Sequence, residues 1–548
     1  MRRHTLQALA ALAVCWVSGS AVADKITLRH SDYFEMIRAA GADTVLTFGN
    51  VRFVQDDAAL FCDSAVWIKE VRLHLWGAVR YEADGNVLVA DSLVYDLVDS
   101  LLYAVGDTVI LISSEDSIRA VGSEAFYDRA QERIEMLGRP RVQFQYPDTV
   151  DGRDAVADYI RYEYSDQSAV AQGGVVLTQA GSIAHAACAR FDRHPDRIRL
   201  YDSASVDWDN YRLIGEYIVL RSANGEPSRV DVWGGGEALL LDPPGPEHDS
   251  AAISIDSATG EILGERLHSL GLDSALSDSA LELAAELAGL APAAGARLAS
   301  SRLVGRSLHF TFTDGDLSRI DAHGQAFSFY QPPSEDTLID IENTASGDSI
   351  SLYITHDSLK MVKVFGSVEG VYVERQRPRA DDSLQRSHAD TINYAGQRIT
   401  FDLTDSTIAL AGRAKVDQAQ MALKSDSIHY QTARKFVTAF ADTAAPPPTD
   451  SVTAADAQSE QSQRFGKVIL SDGGEEVEGD YVEYSLATGK GLLLQSATQY
   501  DNAYYTGGEL YRRNSEVFFV DEGSYTTCEF STPHFHFWSK EMKVINND

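Results

Sequence analysis

A short residue pattern recurs along the N-terminal part of the chain, and it limits the possible folds more than any other sequence feature. The pattern reads small, polar, any, apolar, any, aromatic, and a glycine follows the aromatic residue by ten or eleven positions. It occurs at 62–67, 90–95, 122–127 and 157–162, with glycines at Gly77, Gly106, Gly138 and Gly173. These glycines are spaced by 29, 32 and 35 residues. A period near thirty residues indicates a repeated supersecondary unit.

Within each unit the residues alternate between apolar and polar with a period of two, as in Ser92–Tyr95 and Leu101–Val105. That alternation is typical of β-strands that bury one face. The residues between strands, as at 82–86, include Asp, Gly and Asn, which favour tight turns. A glycine before each second strand indicates a corner or a close backbone approach. The sequence therefore predicts an all-β protein of stacked strands.

The repeat continues less regularly towards the C-terminal end, and two segments interrupt it. Residues 242–302 begin Pro-rich and then carry strong helix formers at 277–287, so we predict a linker with a short helical insertion. Residues 441–463 contain three consecutive prolines and a polar tract, which is typical of a disordered loop. The predicted β segments are therefore block 1 at 24–241, block 2 at 303–440 and C-terminal repeats at 464–548.

The first 23 residues have the layout of a secretory signal peptide. Basic residues at 2–4 precede an apolar run at 6–17, and Ala21-Val22-Ala23 matches the small-residue cleavage pattern. The apolar run is too short to span a bilayer. Cys15 suggests a rival lipoprotein cleavage site, but Val14 is too bulky before it, so we expect cleavage after position 23. No later stretch is apolar and long enough for a transmembrane helix, and we expect the exported chain to enter an oxidising compartment.

The chain is strongly acidic, with 47 Lys and Arg against 81 Asp and Glu and a net charge of −34. Such a chain repels nucleic acid at long range, so we expect no nucleic-acid partner. Its hydrophobic content of 44% excludes global disorder. Cleavage would leave Cys62, Cys188 and Cys528, an odd number, so at least one is free or pairs outside this chain. Burial as small strand residues is the favoured explanation for Cys62 and Cys188.

No motif for a catalytic serine, a nucleotide, a phosphate loop or a zinc protease occurs, so we predict no enzyme activity, no cofactor and no metal site. His534 and His536 would face one side of a strand and suit a metal. No third or fourth ligand is identifiable, and two half-buried histidines are the favoured interpretation. The Asp-Gly turns at 314–316 and 472–474 lack the ligand series of calcium loops, and turn formation explains them better.

The recurring Ala-Asp-Ser-Leu-x-Tyr-Asp, followed by glycine and an apolar strand, resembles the OstA-like β-jellyroll of lipopolysaccharide-transport proteins. That family includes the LptA bridge protein and the N-terminal domain of LptD-type assembly proteins. Segments 88–112 and 155–178 carry the pattern best, and 318–324 with 328–330 is similar to a stretch in relatives with long jellyrolls. The run Tyr525-Thr526-Thr527-Cys528, followed by Trp538, resembles the signature that precedes the barrel in LptD-type proteins.

The resemblance implies an extended open β-jellyroll, V-shaped or U-shaped, of antiparallel strands. Its apolar interior would hold acyl chains while sugars stay outside. It also implies head-to-tail assembly with other OstA-like jellyrolls by edge-strand pairing, in the periplasm and associated with the outer membrane. LptD-type proteins continue into a transmembrane barrel, whereas this sequence stops at Asp548. An outer-membrane β-barrel is therefore an expected partner, to which Cys528 would be joined by an intermolecular disulfide.

The function that we expect is binding of lipopolysaccharide or a related lipid and its transfer towards the outer membrane. Burial of acyl chains would supply about 0.8 kcal/mol per methylene group. The candidate lipid-binding residues lie on alternating strands: Leu93, Tyr95, Val109, Leu111, Phe126 and Ile160. Two alternatives remain open, a non-catalytic β-solenoid scaffold or adhesin and a carbohydrate-active β-helix enzyme that uses acidic residues. An open apolar groove would favour lipid binding, a filled core the scaffold, and an external acidic cleft the enzyme.

Overall fold

A computed structural model describes the chain from Ile26 to Ile545 with interruptions. The predicted signal peptide, the predicted helix at 277–287 and the predicted loop from 442 onward lie outside the described residues. Those residues are 26–38, 43–56, 58–83, 85–114, 117–144, 153–179, 181–208, 211–223, 226–241, 299–331, 339–356, 358–376, 389–441, 465–472, 475–500, 503–513, 517–528, 530 and 533–545.

Antiparallel β-strands make up nearly all of the described residues, and the helical element among them is one 3₁₀ turn at Thr432–Arg434. The chain divides into two compact units. Unit 1 contains residues 1–180 and 188–194, and unit 2 contains residues 181–187 and 195–548. The predicted all-β fold of stacked antiparallel strands is therefore confirmed.

Unit 1 consists of antiparallel strands. Its strands are β1 (Thr27–His30), β2 (Tyr33–Arg38), β3 (Asp43–Gln55), β4 (Ala58–Ile68), β5 (Arg72–Ala83), β6 (Asn86–Asp96), β7 (Leu101–Ser113), β8 (Ile118–Asp128), β9 (Arg133–Leu137), β10 (Arg141–Phe144), β11 (Arg153–Val156), β12 (Tyr159–Glu163) and β13 (Ser168–Gln179). The next strand, β14 (Ser182–Asp192), contributes residues to both units.

Unit 2 continues with strands of the same kind, several of them longer. They are β15 (Arg197–Trp208), β16 (Tyr211–Ala223), β17 (Glu226–Leu241), β18 (Ala299–Thr313), β19 (Asp316–Tyr330), β20 (Ile339–Thr355), β21 (Ser358–Gln376), β22 (Ala389–Asp402), β23 (Thr407–Gln418), β24 (Met421–Gln431), β25 (Phe436–Phe440), β26 (Val468–Asp472), β27 (Glu475–Gly479), β28 (Tyr481–Ser485), β29 (Gly491–Tyr500), β30 (Ala503–Arg512), β31 (Val517–Thr526) and β32 (Phe537–Ile545). Strand β18 begins inside the segment predicted as a linker and pairs directly with β17.

The long strands bend in the middle, so each contributes to two half-sheets. In β5 the first half pairs with the second half of β6, the second half pairs with the first half of β6, and the register shifts between Trp76 and Val79. In unit 1, half-sheet I contains 43–48, 64–68, 72–76, 92–96, 101–105, 124–128, β9, β12 and 168–172. Half-sheet II contains 51–55, 58–61, 79–83, 86–89, 109–113, 118–122, β10, β11 and 175–179.

The bends occur at the glycines of the sequence repeat. Gly77 has a φ of +77° and Ala78 a φ of +42°, a left-handed conformation that glycine adopts at little cost. A Cβ atom on Gly77 would lie 2.8 Å from the Cβ atom of Asp63 in the preceding strand, so only glycine fits there. The polar and glycine positions of the repeat therefore meet in space at each corner. The same contact is made by Asp32 and Gly49, Asp91 and Gly106, Ser123 and Gly138, Asp158 and Gly173, Glu216 and Gly234, Arg306 and Gly324, Asp348 and Gly366, and Gln397 and Gly412.

Candidate functional site

The candidate site is the interior of unit 1, where the inward side chains of the two half-sheets meet. Burial alternates along each strand with a period of two, as β4 and β6 show. Contacts cross from one half-sheet to the other, for example between the rings of Phe53 and Trp67, whose centroids are 5.6 Å apart. The interior is largely apolar because most inward side chains along these strands are aliphatic, aromatic or alanine, although Thr47, Gln55 and Ser113 are also buried.

Five of the six predicted lipid-binding residues lie in this interior. Leu93, Tyr95 and Ile160 come from half-sheet I, whereas Val109 and Leu111 come from half-sheet II, and each is 5% exposed or less. The structure therefore brings these five side chains into one buried region. The same burial is expected of a packed protein core.

Phe126 lies on the opposite face of its strand and is 42% exposed. Its ring stacks on that of Tyr103, with 4.4 Å between the centroids. The two rings line a cleft of about 310 Å³ on the outer face, together with Arg72, Asp96, Arg133 and Glu135 among others. In β8 the inward positions belong to Ala125 and Tyr127. Alignment of the sequence repeats predicts this orientation, because Ala125 and Tyr127 occupy the repeat positions of Leu93 and Tyr95.

A polar cap closes the interior at the end of the strands that is remote from the glycine corners. The hydroxyl of Tyr95 donates a hydrogen bond to Oε1 of Gln55 at 2.8 Å, and Nη1 of Arg129 donates to the Tyr95 hydroxyl at 2.9 Å. Burial lowers the pKa of Arg129, whereas the nearby Tyr81 and the hydrogen bond to Tyr95 raise it. The two upward effects together exceed the effect of burial, so the pKa of Arg129 lies above its ordinary value. The sequence patterns did not indicate Gln55 or Arg129 as part of the site, because 40 and 34 residues separate them from Tyr95.

Next to this cap, aromatic rings fill the interior. Ring centroids are 6.5 Å apart for Tyr81 and Tyr127, 6.3 Å for Tyr127 and Tyr164, and 4.9 Å for Tyr162 and Tyr164. The space that remains among Tyr81, Tyr127, Tyr164 and their neighbours is about 10 Å³. Such a space is no larger than one water-sized sphere. An acyl chain can enter this part of the interior only if the side chains that line it move apart.

The C-terminal Tyr-Thr-Thr-Cys element carries a second feature. The Sγ atom of Cys528 lies 3.5 Å from Nδ1 of His534. Backbone hydrogen bonds from His534 and Phe530, together with the His534 ring, lower the pKa of the Cys528 thiol. Burial instead raises the pKa of Cys62 to about 12. Among the described residues, no disulfide joins Cys62, Cys188 and Cys528 to one another.

The other candidate ligand positions have ordinary local roles. The His534 ring packs against Phe530, with 4.9 Å between the centroids, and the described residues contain no group of three or more His, Cys, Asp or Glu that could hold a metal ion. Asp314 and Gly315 both have positive φ, as a tight hairpin turn requires. Asp472 accepts hydrogen bonds from Arg512 at 2.6 Å and from Tyr484 at 3.2 Å.

These features define an antiparallel β-jellyroll protein over the part of the chain that the structure describes. Residues 23–132 match the family model described as OstA-like protein, so that segment is similar to OstA-like proteins. The matched segment covers β1–β8 and includes Gln55, Tyr95 and Arg129 of the polar cap.

Among solved structures, the chain is similar to LptH, described as the LptA-homologous periplasmic component of the conserved lipopolysaccharide transport device from Pseudomonas aeruginosa. The identity is 18%, and the alignment covers 27% of this chain and 87% of that chain with a TM-score of 0.19. A TM-score this low carries no argument about fold or function. No curated protein matches the chain. Helices long and apolar enough to cross a membrane are absent from the described residues.

Proposed function

We propose that this chain is a periplasmic protein of the lipopolysaccharide-transport type that shields acyl chains between the two half-sheets of unit 1 and passes them towards the outer membrane. The observation that carries this proposal is the continuous apolar interior of the strands whose residues match the OstA-like family. The proposed role involves transfer of a lipid between binding surfaces and no chemical step.

The closed interior must open for an acyl chain to enter. The contacts that hold the cap closed are the two hydrogen bonds of the Tyr95 hydroxyl, to Gln55 and from Arg129. Each is worth roughly 0.5–1.5 kcal/mol net. Burial of about one to four methylene groups, at about 0.8 kcal/mol each, therefore offsets the loss of both. An acyl chain of ordinary length has more methylene groups than that, so its burial also offsets part of the cost of separating the packed side chains of the two half-sheets.

The direct test is site-specific photo-crosslinking in cells, with the photoreactive residue placed inside or outside the interior. We expect lipopolysaccharide adducts from positions Leu93, Val109 and Ile160. Phe126 and Val94 are the matched controls, because they lie on the same strands or their neighbours but on the outer face. Absence of adducts at all three interior positions, or adducts at Phe126 alone, would overturn the proposal.

A second candidate function is a non-catalytic scaffold, and the filled interior is the observation that favours it. Leu93 and Val109 are fully buried, and the space beside the aromatic rings holds at most one water molecule. A scaffold would give no lipid adduct at any interior position, yet deletion of the protein would still alter the cell envelope. The crosslinking experiment therefore separates the two candidates.

We also propose that the chain joins other OstA-like jellyrolls through an edge strand of unit 1. All six residues of β2 are exposed, and four of them are large and apolar: Tyr33, Phe34, Met36 and Ile37. An exposed strand with an apolar surface is a template for pairing with another chain. The substitution Met36→Lys should reduce crosslinking to a partner jellyroll, whereas Glu35→Lys on the same strand tests for a general charge effect. Equal loss in both variants would argue against apolar pairing through Met36.

We further propose that Cys528 forms an intermolecular disulfide with an outer-membrane β-barrel partner. A thiol with a lowered pKa is a better nucleophile at neutral pH than a buried one. At pH 7 we expect iodoacetamide to label Cys528 at least about tenfold faster than Cys62 in the native protein, followed by mass spectrometry. His534→Ala should slow the labelling of Cys528. A high-mass species on a non-reducing gel should disappear in Cys528→Ser, and its persistence would rule out this cysteine.

A further inference from the structure

Strands β15 to β19 of unit 2 place fifteen side chains on one face of the sheet, in three rows that run across the strands; thirteen are half-buried or exposed, and Val219 and Asp231 are buried. The upper row consists of Arg197, Arg221, Arg229, Thr311 and Arg319. The middle row consists of Arg199, Val219, Asp231, His309 and Asp321, and the lower row of Tyr201, Tyr217, Trp233, Ser307 and His323. Intervening residues such as Leu200, Val232 and Leu308 are buried. We call the fifteen residues the basic–aromatic face.

The upper row brings three arginines into direct register. Arg197 is opposite Arg221, and Arg221 is opposite Arg229. Like charges that are directly opposite on neighbouring strands destabilise a sheet. The face as a whole carries five arginines and two aspartates, a formal charge of +3, on a chain whose net charge is −34. A local excess of positive charge lowers the stability of the sheet unless acidic side chains or a bound anion offset it.

A buried carboxylate holds two of these arginines in place. Asp231 is 2% exposed and accepts hydrogen bonds from Arg221, from Arg229 at 2.7 Å and from Nδ1 of His309 at 2.7 Å. Burial raises the pKa of Asp231, but the hydrogen bonds from Arg221 and Arg229 outweigh it and hold the pKa below its usual range. One carboxylate therefore orients two guanidinium groups and neutralises the charge of one. Arg221 and Arg229 remain 38% and 53% exposed, so solvent-facing N–H groups are available to a ligand.

The lower row supplies a series of mutually stacked aromatic rings beside the arginines. Ring centroids are 4.9 Å apart for Tyr201 and Tyr217 and 5.3 Å apart for Tyr217 and Trp233, and the last pair is stacked. His309 of the middle row packs edge-on against Trp233, with 5.9 Å between the ring centroids, and its Nε2 atom lies 3.3 Å from the Ser307 hydroxyl. The solvent-facing edges of the stacked rings form an apolar strip, and the hydroxyl and imidazole groups beside it can bond to sugar hydroxyls.

We propose that the basic–aromatic face binds a phosphorylated saccharide, the headgroup of the lipid that unit 1 is proposed to carry. The fork of an arginine side chain matches the geometry of phosphate and forms paired hydrogen bonds to it. The aromatic row, one strand spacing after another, suits the sugar to which the phosphate is attached. The acidity of the rest of the chain does not prevent this binding, because charges more than about 8–10 Å away are screened at physiological salt. The assignment of the saccharide to the lipid headgroup rests on the proposed function.

The test uses the full chain and a bis-phosphorylated hexosamine disaccharide that carries no acyl chain, with binding measured by calorimetry. We expect the disaccharide to bind, and we expect the same sugar without phosphates, and inorganic phosphate alone, to bind at least about tenfold more weakly. The double variant Arg221→Gln/Arg229→Gln should lose about tenfold or more in affinity. Trp233→Ala should weaken binding of the phosphorylated and the unphosphorylated sugar alike.

The matched control is Arg72→Gln/Arg133→Gln on the outer face of unit 1, which should bind as the unaltered protein does. If the double variant does not fold, Arg319→Gln at the other end of the row, 46% exposed, provides the same test with a smaller loss. The proposal is overturned if the unaltered chain does not bind the disaccharide, if the control loses as much affinity as the test variant, or if phosphate alone binds as tightly. Because the probe has no acyl chain, saccharide binding without interior lipid adducts would refute the function proposed for unit 1 and leave the face as a saccharide site. Interior lipid adducts without saccharide binding would refute only the saccharide site on the basic–aromatic face.

Discussion

The outer faces of the two units differ in how their charges are arranged, although the strands beneath them bend at the same kind of corner. On half-sheet I of unit 1, each outward arginine has its own acidic neighbour. Arg72 is 3.1 Å from Asp96, and Arg133 is 3.1 Å from Glu135. On the basic–aromatic face of unit 2, Arg221 and Arg229 instead share one buried aspartate. The corner contacts and the buried interior therefore do not constrain the outward side chains, which can differ in function between the two units.

The largest expected effect concerns what the two units have in common. Leu93→Ala in unit 1 and Leu200→Ala in unit 2 each remove a fully buried side chain, and we expect each to lower the free energy of unfolding by about 2–5 kcal/mol. Urea unfolding followed by circular dichroism measures this loss. Val94→Ala, on the outer face beside Leu93, should change stability by about 0.5 kcal/mol or less. A loss below about 1 kcal/mol for Leu93→Ala would show that the interior of unit 1 is loosely packed, unlike that of unit 2.

The second prediction asks whether both units depend on the polar–glycine contact. Two adjacent glycines occupy one corner in each unit, and all four have positive φ: Gly173, Gly174, Gly234 and Gly235. A Cβ atom on Gly173 or Gly234 would lie 2.8 or 2.6 Å from the Cβ atom of the facing Asp158 or Glu216, whereas the second glycine of each pair meets nothing within 4 Å.

Replacing any of these four glycines by alanine should cost about 1–2 kcal/mol for the left-handed backbone. At Gly173 and Gly234 the contact with the facing acid should add about 1–3 kcal/mol. Thermal unfolding of the four variants measures the difference. If the two members of a pair are equally destabilising, the contact does not contribute to the corner of that unit.

The smallest expected effect concerns the faces themselves. Asp231→Asn should destabilise the protein by about 1–3 kcal/mol, because two guanidinium groups lose a buried, charged acceptor. Asp96→Asn should cost about 1 kcal/mol or less, because its partner Arg72 is 54% exposed and the pair is screened by solvent. The pKa of Asp231 is lowered in the folded state, so its contribution is present above the unfolded pKa near 3.8 and is lost as the pH falls through the folded pKa.

Chemical unfolding at pH 7 and at steps below pH 4 tests this prediction. The difference between the unaltered protein and Asp231→Asn should shrink as the pH falls below about 4, because the carboxylate of the unaltered protein becomes protonated. A difference that does not change with pH would mean that the negative charge of Asp231 does not contribute to the stability of the face.

The all-β fold and most of the buried candidates could be predicted because both follow from local patterns. A period of two identifies a strand, and the repeated aromatic position identifies one inward side chain in each sequence repeat. The prediction that Phe126 is an interior residue is wrong, because the period alone does not say which of two neighbouring residues faces inward. Alignment with Leu93 and Tyr95 of the preceding repeat resolves the choice in favour of Ala125 and Tyr127.

The cap and the basic–aromatic face could not be predicted from the sequence, because both depend on strand register. Gln55 and Arg129 approach Tyr95 from strands and turns that are far away in the chain. Arg197, Arg221 and Arg229 are single basic residues in an acidic sequence, and only the pairing of β15, β16 and β17 aligns them. A change of register by one residue would send each arginine into the interior.

The polar–glycine corner sets the step by which a molecule of this kind can lengthen during evolution. The polar residue belongs to one strand and the glycine to the next, as with Asp63 on β4 and Gly77 on β5. A duplication or deletion of one strand would place a polar side chain against a residue with a Cβ atom and would reverse the direction of every later strand. Duplication or deletion of two strands at once preserves the polar–glycine contact and the direction of the later strands. Recombination between such genes should therefore be tolerated at the turns that precede each polar-bearing strand, and length variation among relatives should come in pairs of strands.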